Sequence, residues 1–253
     1  MAIENYNYVS NALMHPTTVK VVTPTVRNAD KTMYFLHGAV SDGQNCLDNV
    51  DFQKLSDKYR MAFVIPDAGN SFYIDHGPAF GNYGKFVGRE LVEVTRATFG
   101  FSRNREDTAI AGFSMGGYGA IRNGLRYPKN FGYVIAMSAA CMYEPSAPDL
   151  ADTRFGYFKT QFFDNILQDK INPGPFSENY RYLLEQNLEK KIPIPQFYLC
   201  CGENEELIQV NREFARYLSE KDVNSIFVTD PGEHNWTLWS RQLIPAIEWF
   251  ERG

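Results

Sequence analysis

Residues 112–117 read Gly-Phe-Ser-Met-Gly-Gly and contain the G-x-S-x-G pattern of a nucleophile elbow. An apolar stretch typical of a strand precedes it at 108–111, and small residues typical of a helix follow it at 116–127. The pattern requires this context, because the tight turn strains the central serine and exposes its hydroxyl group. The sequence therefore predicts Ser114 as a nucleophile, with the Met115 N–H directed at a substrate oxygen.

A serine hydroxyl is a weak nucleophile at neutral pH and needs a base within hydrogen-bond distance. The chain has four histidines: His15, His37, His76 and His234. His234 follows the last predicted strand, in a Pro-Gly turn at residues 230–236, where a base could reach the carboxyl edge of a sheet. We therefore predict His234 as the base and interpret His37 as a brace for the loop that follows it.

The imidazole needs a carboxylate that orients it and stabilises its protonated form. Three candidates follow the predicted strand 196–201: Glu203, Glu205 and Glu206. Chemistry alone does not choose among them, since acidic residues also stabilise helix N-termini through the helix dipole.

The loop after an early strand is expected to supply a second oxyanion donor. His37-Gly38-Ala39 follows an apolar run at 32–36, and Gly38 has no side chain to block a substrate carbonyl. The sequence therefore predicts Ala39 N–H and Met115 N–H as the oxyanion hole.

The elements that must position these residues alternate along the chain. Runs that are apolar on both faces predict central strands, and they lie at 32–36, 60–65, 108–111, 133–138, 196–201 and 225–229, with an earlier alternating strand at 17–23. Helical patterns lie between them at 50–59, 85–99, 116–127, 205–221 and 239–252. This order predicts a mostly parallel sheet with helices on both faces and a ligand site at the carboxyl ends of the strands.

The alternation is interrupted at residues 142–195, where prolines and aromatic residues mix. We interpret this stretch as a cap-like insertion that shapes the pocket. The length of 253 residues and the lack of a linker predict a single domain over residues 1–253.

Charge and composition restrict the partners. The net charge of −5 and the absence of a basic cluster exclude nucleic acid and an anionic membrane surface as expected partners. No apolar run approaches the roughly 20 residues that span a bilayer, and the N-terminus has no signal-peptide pattern. The cysteines are Cys46, Cys141, Cys200 and Cys201, and their spacing is neither that of a metal site nor that of a redox pair. We therefore expect no bound metal and a cytoplasmic location.

Together these motifs resemble the esterase D family of α/β-hydrolases, and in particular its small bacterial tributyrin-type esterases. The resemblance runs from the 36–38 loop through Pro-Asp at 66–67 and 112–120 to the His-Asn-Trp of 234–236. It implies an α/β-hydrolase fold and a Ser–acid–His hydrolase of short-chain esters. It also implies Ser114 as nucleophile and His234 as base, with no cofactor.

The resemblance also selects the acid. These esterases place an aspartate four residues after a cysteine in a Cys-Gly-x-x-Asp stretch, with an asparagine six residues further on. Cys201, Gly202 and Asn211 match that frame, so Glu205 is the implied acid. Glutamate stands here in place of aspartate, and its additional methylene is expected to require a backbone shift.

The expected function is that of a serine carboxylesterase acting on a small-molecule ester through a covalent acyl-enzyme. Alternatives within the fold are an S-formylglutathione hydrolase-type thioesterase, an acetyl or feruloyl carbohydrate esterase, and an acyltransferase like the mycolyltransferases. The missing export signal disfavours the last two. A catalytically inactive hydrolase fold that only binds ligands is an alternative from another class. The resemblance allows a homo-oligomer, since many such relatives form dimers or tetramers.

Overall fold

The computed structural model describes residues 3–26, 28–77, 79–147 and 179–253. Its strands are β1 (Ile3–Ser10), β2 (His15–Val22), β3 (Lys31–Leu36), β4 (Met61–Pro66), β5 (Thr108–Phe113), β6 (Tyr133–Met137), β7 (Gln196–Gly202) and β8 (Ser225–Asp230). They form one sheet of eight strands in the spatial order β1-β2-β4-β3-β5-β6-β7-β8.

Helices cover both faces of this sheet. The described helices are α1 (Gly43–Asn49), α2 (Phe52–Tyr59), α3 (Tyr83–Lys85), α4 (Leu91–Phe99), α5 (Met115–Arg126), α6 (Tyr180–Glu189), α7 (Ile208–Glu220) and α8 (Trp236–Arg252). Buried side chains of α1, α2 and α8 pack on the face that carries Met33 and Phe35. Those of α4, α5, α6 and α7 pack on the face that carries Tyr34 and Leu36. Because successive strand residues point to opposite faces, both faces must be apolar, as the sequence pattern predicted.

Strand direction determines where the site lies. β2 runs antiparallel to both of its neighbours, β1 and β4, and the other pairings from β4 to β8 are parallel. The carboxyl ends of β3 to β8 therefore lie along one edge of the sheet. This order and the antiparallel second strand are those of an α/β-hydrolase fold, which confirms the predicted fold class.

The structure differs from the sequence-based prediction mainly outside the central strands. β1 was not predicted, because this edge strand is largely exposed and polar and lacks the apolar pattern of a central strand. The helix predicted at 50–59 begins at Phe52, capped by the Asp51 carboxylate, and α1 precedes it. The last helix begins at Trp236, three residues before the predicted start, because the Asn235 side chain caps it there.

Most of the predicted insertion at 142–195 lies outside the described residues, which resume at 179. Its two described ends are joined by Glu144, whose buried carboxylate accepts hydrogen bonds from the Tyr180 hydroxyl at 3.0 Å and from Arg181 Nε at 2.9 Å. The Arg181 guanidinium also stacks over the Tyr217 ring, 4.0 Å from its centroid. The segment after β6 is therefore joined to the start of α6 by an ion pair between the buried Glu144 carboxylate and the partly exposed Arg181.

Candidate active site

Ser114 occupies the turn between β5 and α5. Its backbone has φ = 56° and ψ = −120°, a left-handed conformation that is uncommon for a residue other than glycine. The turn requires glycine on both sides. A Cβ at Gly116 would lie 2.1 Å from the Leu36 carbonyl oxygen, and one at Gly112 would lie 2.5 Å from the Gly116 carbonyl oxygen. The tight turn therefore presents the Ser114 hydroxyl at the edge of the sheet, as predicted for a nucleophile elbow.

His234 lies in the loop between β8 and α8 and contacts Ser114. The distance from His234 Nε2 to Ser114 Oγ is 2.9 Å, and that from His234 Nδ1 to Glu205 Oε2 is 2.7 Å. A carboxylate only accepts hydrogen bonds, so Nδ1 carries the proton and Nε2 faces the hydroxyl as an acceptor. The edge of the imidazole meets Trp239, with ring centroids 4.9 Å apart. The imidazole therefore bridges the hydroxyl and the carboxylate.

Glu205 follows β7 and its side chain is fully buried. One carboxylate oxygen, Oε2, faces His234, while Oε1 accepts from the Gly202 N–H at 2.8 Å and from the Ser138 hydroxyl at 2.6 Å. Glu203 and Glu206 are exposed, and the Glu203 carboxylate accepts from the Thr229 hydroxyl at 3.2 Å. Of the three candidates, Glu205 is the residue whose carboxylate lies within hydrogen-bond distance of the imidazole.

The loop that carries Ala39 passes beside Ser114. A Cβ at Gly38 would lie 3.4 Å from Ser114 Cβ, so the loop lies next to the serine side chain. Met115 is the first residue of α5, and N–H groups in the first turn of a helix have no partner within the helix. The two backbone segments predicted as oxyanion donors therefore flank the same serine.

His37 is fully buried beneath this loop. Its Nε2 accepts from the Ala68 N–H at 3.0 Å, its Nδ1 lies 2.8 Å from the Gly38 carbonyl oxygen, and the Tyr73 hydroxyl donates to the His37 carbonyl at 2.9 Å. Burial lowers the pKa of His37, which favours the neutral imidazole that these bonds require. These contacts agree with the interpretation of His37 as a brace.

Sequence reasoning missed two side chains around Glu205. Ser138, immediately after β6, donates to Glu205, and Trp239 Nε1 donates to Ser138 Oγ at 2.9 Å. The available signal was the place of Ser138 at the carboxyl end of β6, next to the strand that carries Ser114. Asn211, noted only as part of a sequence frame, is fully buried and bonds both backbone groups of Ala139.

The two remaining histidines bond backbone carbonyl groups elsewhere. His15 Nδ1 bonds the Pro16 carbonyl, and His76 Nε2 bonds the Ser71 carbonyl. The four cysteines are free and buried. In the part of the chain that the structure describes, no group of three or more His, Cys, Asp or Glu side chains could hold a metal ion. Among the same residues, no helix is both long enough and apolar enough to cross a bilayer.

Comparison with known proteins gives matches that span the chain. The sequence model of the Esterase family matches residues 10–250. An acetyl esterase from Caldicellulosiruptor saccharolyticus is 32% identical over 263 residues, which is 100% of this chain and 99% of the relative. The solved structure of FphF, a fluorophosphonate-binding serine hydrolase of Staphylococcus aureus, is 26% identical with a TM-score of 0.85, and the match covers 99% of this chain and 98% of FphF.

A second solved structure shares the fold. The S-formylglutathione hydrolase FrmB of Staphylococcus aureus is 24% identical with a TM-score of 0.84, and the match covers 99% of this chain and 98% of FrmB. The family match, the acetyl esterase and the serine hydrolase structure agree with the esterase D resemblance of the sequence motifs. We conclude that the chain belongs to the Esterase family and is a carboxylic ester hydrolase of the serine esterase type.

Proposed function

We propose that the protein is a carboxylesterase that hydrolyses short-chain acyl esters through a catalytic triad of Ser114, His234 and Glu205. The observation that carries the proposal is the continuous hydrogen-bonded series from Ser114 Oγ through both imidazole nitrogens to Glu205 Oε2, with distances of 2.9 and 2.7 Å. Nucleophile, base and orienting acid each lie within the distance that proton transfer requires.

In the first step, Ser114 Oγ attacks the carbonyl carbon of the ester while its proton moves to His234 Nε2. The carbonyl π electrons move to the oxygen, and the resulting oxyanion accepts hydrogen bonds from Ala39 N–H and Met115 N–H. When the bond to the alcohol oxygen breaks, His234 returns the proton to that oxygen. The alcohol leaves, and the acyl group remains on Ser114.

In the second step, water takes the place of the alcohol. His234 Nε2 accepts a proton from the water as its oxygen attacks the acyl carbon, and the oxyanion forms in the same position. Collapse of this intermediate breaks the bond to Ser114 Oγ, which recovers its proton from His234. Each oxyanion donor contributes on the order of 10²–10³ to the rate in enzymes of this type. The reaction needs no metal or cofactor.

The preference for short acyl groups is supported by the acetyl esterase relative, which aligns over the whole chain. We also propose a single domain over residues 1–253, with 142–195 as a cap-like insertion beside the site. The buried ion pair between Glu144 and Arg181, which ties together the described ends of this insertion, supports that assignment. The four free buried cysteines support a cytoplasmic location.

A thioesterase that hydrolyses S-formylglutathione is the second candidate function. It is favoured by the match to FrmB and by an S-formylglutathione hydrolase of Paracoccus denitrificans, which is 25% identical over 177 residues, or 60% of this chain. The proposed chemistry is the same, with a thiol as the leaving group in place of an alcohol. A feruloyl carbohydrate esterase is a third alternative, because the structure of a ferulic acid esterase shares the fold with a TM-score of 0.75.

The test is a comparison of initial rates on p-nitrophenyl acetate, butyrate and octanoate, with S-formylglutathione and methyl ferulate measured alongside. We expect the highest kcat/KM on the acetate or butyrate. Ser114→Ala should lower kcat by on the order of 10⁴–10⁶, whereas the control Ser219→Ala, at an exposed serine on α7, should leave it unchanged.

A higher kcat/KM on S-formylglutathione than on any ester would overturn the carboxylesterase assignment in favour of the thioesterase. Full activity of Ser114→Ala would overturn the proposed nucleophile. If the folded wild-type protein hydrolysed none of these compounds, the proposed function would be wrong.

A further inference from the structure

We propose that Ser138 and Trp239 are positioning residues that hold the Glu205 carboxylate against the imidazole of His234. The inference rests on the proposed function, because it assigns Glu205 as the acid of the triad. It concerns two side chains that touch neither Ser114 Oγ nor the imidazole nitrogens through a hydrogen bond.

A glutamate needs more restraint than an aspartate in this position, because its side chain has one more rotatable bond. Glu205 is restrained at both oxygens. Oε2 accepts from His234, and Oε1 accepts from the Gly202 N–H at 2.8 Å and the Ser138 hydroxyl at 2.6 Å. The Gly202 donor belongs to the same turn as Glu205, so Ser138 is the restraint that comes from another strand.

The directions of the Ser138–Glu205 and Trp239–Ser138 hydrogen bonds are determined. The carboxylate of Glu205 only accepts, so the single hydroxyl proton of Ser138 is donated to Oε1. The indole Nε1–H of Trp239 only donates, so it occupies a lone pair of Ser138 Oγ at 2.9 Å. Trp239 therefore fixes the rotation of the Ser138 hydroxyl, and that hydroxyl fixes the carboxylate.

The backbone of Ser138 supports a role for its hydroxyl. Ser138 has φ = 46°, in the left-handed region that costs roughly 1–2 kcal/mol for a residue other than glycine. It is also fully buried. Glycine would adopt this conformation without strain but would provide no donor for Glu205 Oε1. Backbone strain of this kind is found where surrounding structure and function require a particular side chain.

Titratable side chains near the Glu205 carboxylate include His234 and the thiols of Cys200 and Cys201. Burial raises the pKa of both thiols above their usual range, so they remain neutral. The orientation of Glu205 is therefore set by hydrogen bonds from neutral donors and by the imidazole.

The test uses Ser138→Gly, Trp239→Phe and the double variant, assayed on p-nitrophenyl acetate. Ser138→Gly removes the hydroxyl and the backbone strain together, and it should lower kcat by on the order of 10- to 100-fold with KM unchanged. Trp239→Phe keeps an aromatic ring but loses the Nε1–H, so it should lower kcat by a smaller factor. The double variant should match Ser138→Gly, because Trp239→Phe keeps an aromatic ring against His234 and loses the bond to Ser138.

Two measurements separate positioning from a structural role. The strongly deshielded proton signal of His234 Nδ1–H, which reports its bond to Glu205, should shift or broaden in Ser138→Gly. The control Trp249→Phe, on the same helix α8 but packed on Tyr133 and Tyr198 outside this network, should leave kcat and that signal unchanged. Circular dichroism and Tm give the folded fraction of each variant.

A kcat of Ser138→Gly equal to that of the wild type would overturn the proposal, and so would additive effects in the double variant. Ser114→Ala is measured in the same series. If Ser114→Ala is inactive while Ser138→Gly is fully active, the positioning proposal fails and the proposed function stands. If Ser114→Ala keeps full activity, the proposed function itself fails.

Discussion

Ser114 and Glu205 lie at the two ends of one hydrogen-bonded series, but different parts of the chain hold them there. Ser114 is held by backbone: a left-handed turn, with glycines at 112 and 116 that allow close contact with the Leu36 segment. Glu205 is held by side chains, including that of Ser138, and by the Gly202 N–H of its own turn. The first arrangement is carried by the backbone of a short motif packed on Leu36, whereas the second requires a side chain that lies 67 positions away in the sequence.

This difference predicts which substitutions should displace Ser114 and which should displace Glu205. A residue held by backbone moves only if the turn itself is distorted, and such a change also destabilises the fold. A residue held by side-chain hydrogen bonds can be displaced by one substitution that leaves the fold intact. Substitutions around the proposed acid should therefore act mainly on activity, whereas substitutions of the glycines in the serine turn should act mainly on stability.

With Ser114 itself unchanged, the largest expected effect on kcat is at Glu205. Glu205→Gln should lower kcat on p-nitrophenyl acetate by about 10³–10⁴, because an amide cannot stabilise the imidazolium and favours the wrong tautomer. Glu205→Asp should lose less, since it keeps the charge but retracts the carboxylate from the 2.7 Å contact with His234. Stopped-flow or steady-state rates measure both.

The matched control is Glu203→Gln, at an exposed carboxylate in the same turn. It should retain wild-type kcat. A large loss in Glu203→Gln together with normal activity in Glu205→Gln would assign the acid to the other residue and contradict the comparison.

The backbone turn that holds Ser114 is tested by Gly116→Ala. The new Cβ would lie 2.1 Å from the Leu36 carbonyl oxygen, and neither the strand nor the helix can move aside easily. We expect the free energy of unfolding to fall by about 3 kcal/mol, as for other overpacked sites, and urea denaturation measures it. The control is Gly100→Ala at φ = 70° in open space, which should cost about 1 kcal/mol and leave kcat unchanged. Equal losses in the two variants would show that the contact with Leu36 is not what makes glycine necessary.

Asn211 combines the two kinds of support, because its side chain hydrogen-bonds the backbone of Ala139. Its amide bonds Ala139 N–H at 3.2 Å and Ala139 C=O at 2.9 Å, directly after Ser138. Asn211→Ala leaves both buried groups without these partners and should lower the free energy of unfolding by about 2 kcal/mol. Gln209→Ala, at an exposed position of the same helix, should change it by less than about 0.5 kcal/mol. A Gln209→Ala loss as large as that of Asn211→Ala would contradict this assignment.

The same difference explains which features could be predicted from the sequence. The central strands were predictable because each is buried on both faces and reads as a continuous apolar run. The positions of Ser114 and His234 were predictable because each follows a predicted strand within a short motif. The chemistry of the residues did not choose among the three carboxylates that follow β7. Glu205 was favoured by its place in the Cys-Gly-x-x-Asp stretch of the family that the sequence resembles.

What could not be predicted depends on contacts between distant positions. Ser138 reaches Glu205 because its backbone has φ = 46°, and Trp239 reaches Ser138 from a helix that is 101 positions later in the chain. No local pattern contains either fact. Strand β1 was missed for a different reason, because this edge strand is exposed and polar and has no continuous apolar run, although Tyr6 and Tyr8 alternate with asparagines.

The loop that carries Ala39 combines side-chain and backbone support. One side chain, the buried imidazole of His37, joins this loop to the backbone N–H of Ala68. Burial lowers the pKa of His37, so the folded protein keeps it neutral at pH values where the unfolded chain, with a pKa of about 6.5, binds a proton. The unfolded state then binds more protons, and stability is lost as the pH falls below about 6.5, by at most about 1.4 kcal/mol per pH unit.

His37→Gln keeps an acceptor for the Ala68 N–H but cannot titrate, so it should lack this part of the pH dependence. Urea denaturation of both proteins at about pH 7.5 and about pH 5.5 isolates the difference, because all other titrating groups are shared. A smaller loss of stability in His37→Gln would show that the neutral imidazole of His37 helps to hold the loop that carries Ala39. Equal losses in the two proteins would show that His37 adds no pH dependence to stability and would contradict this prediction.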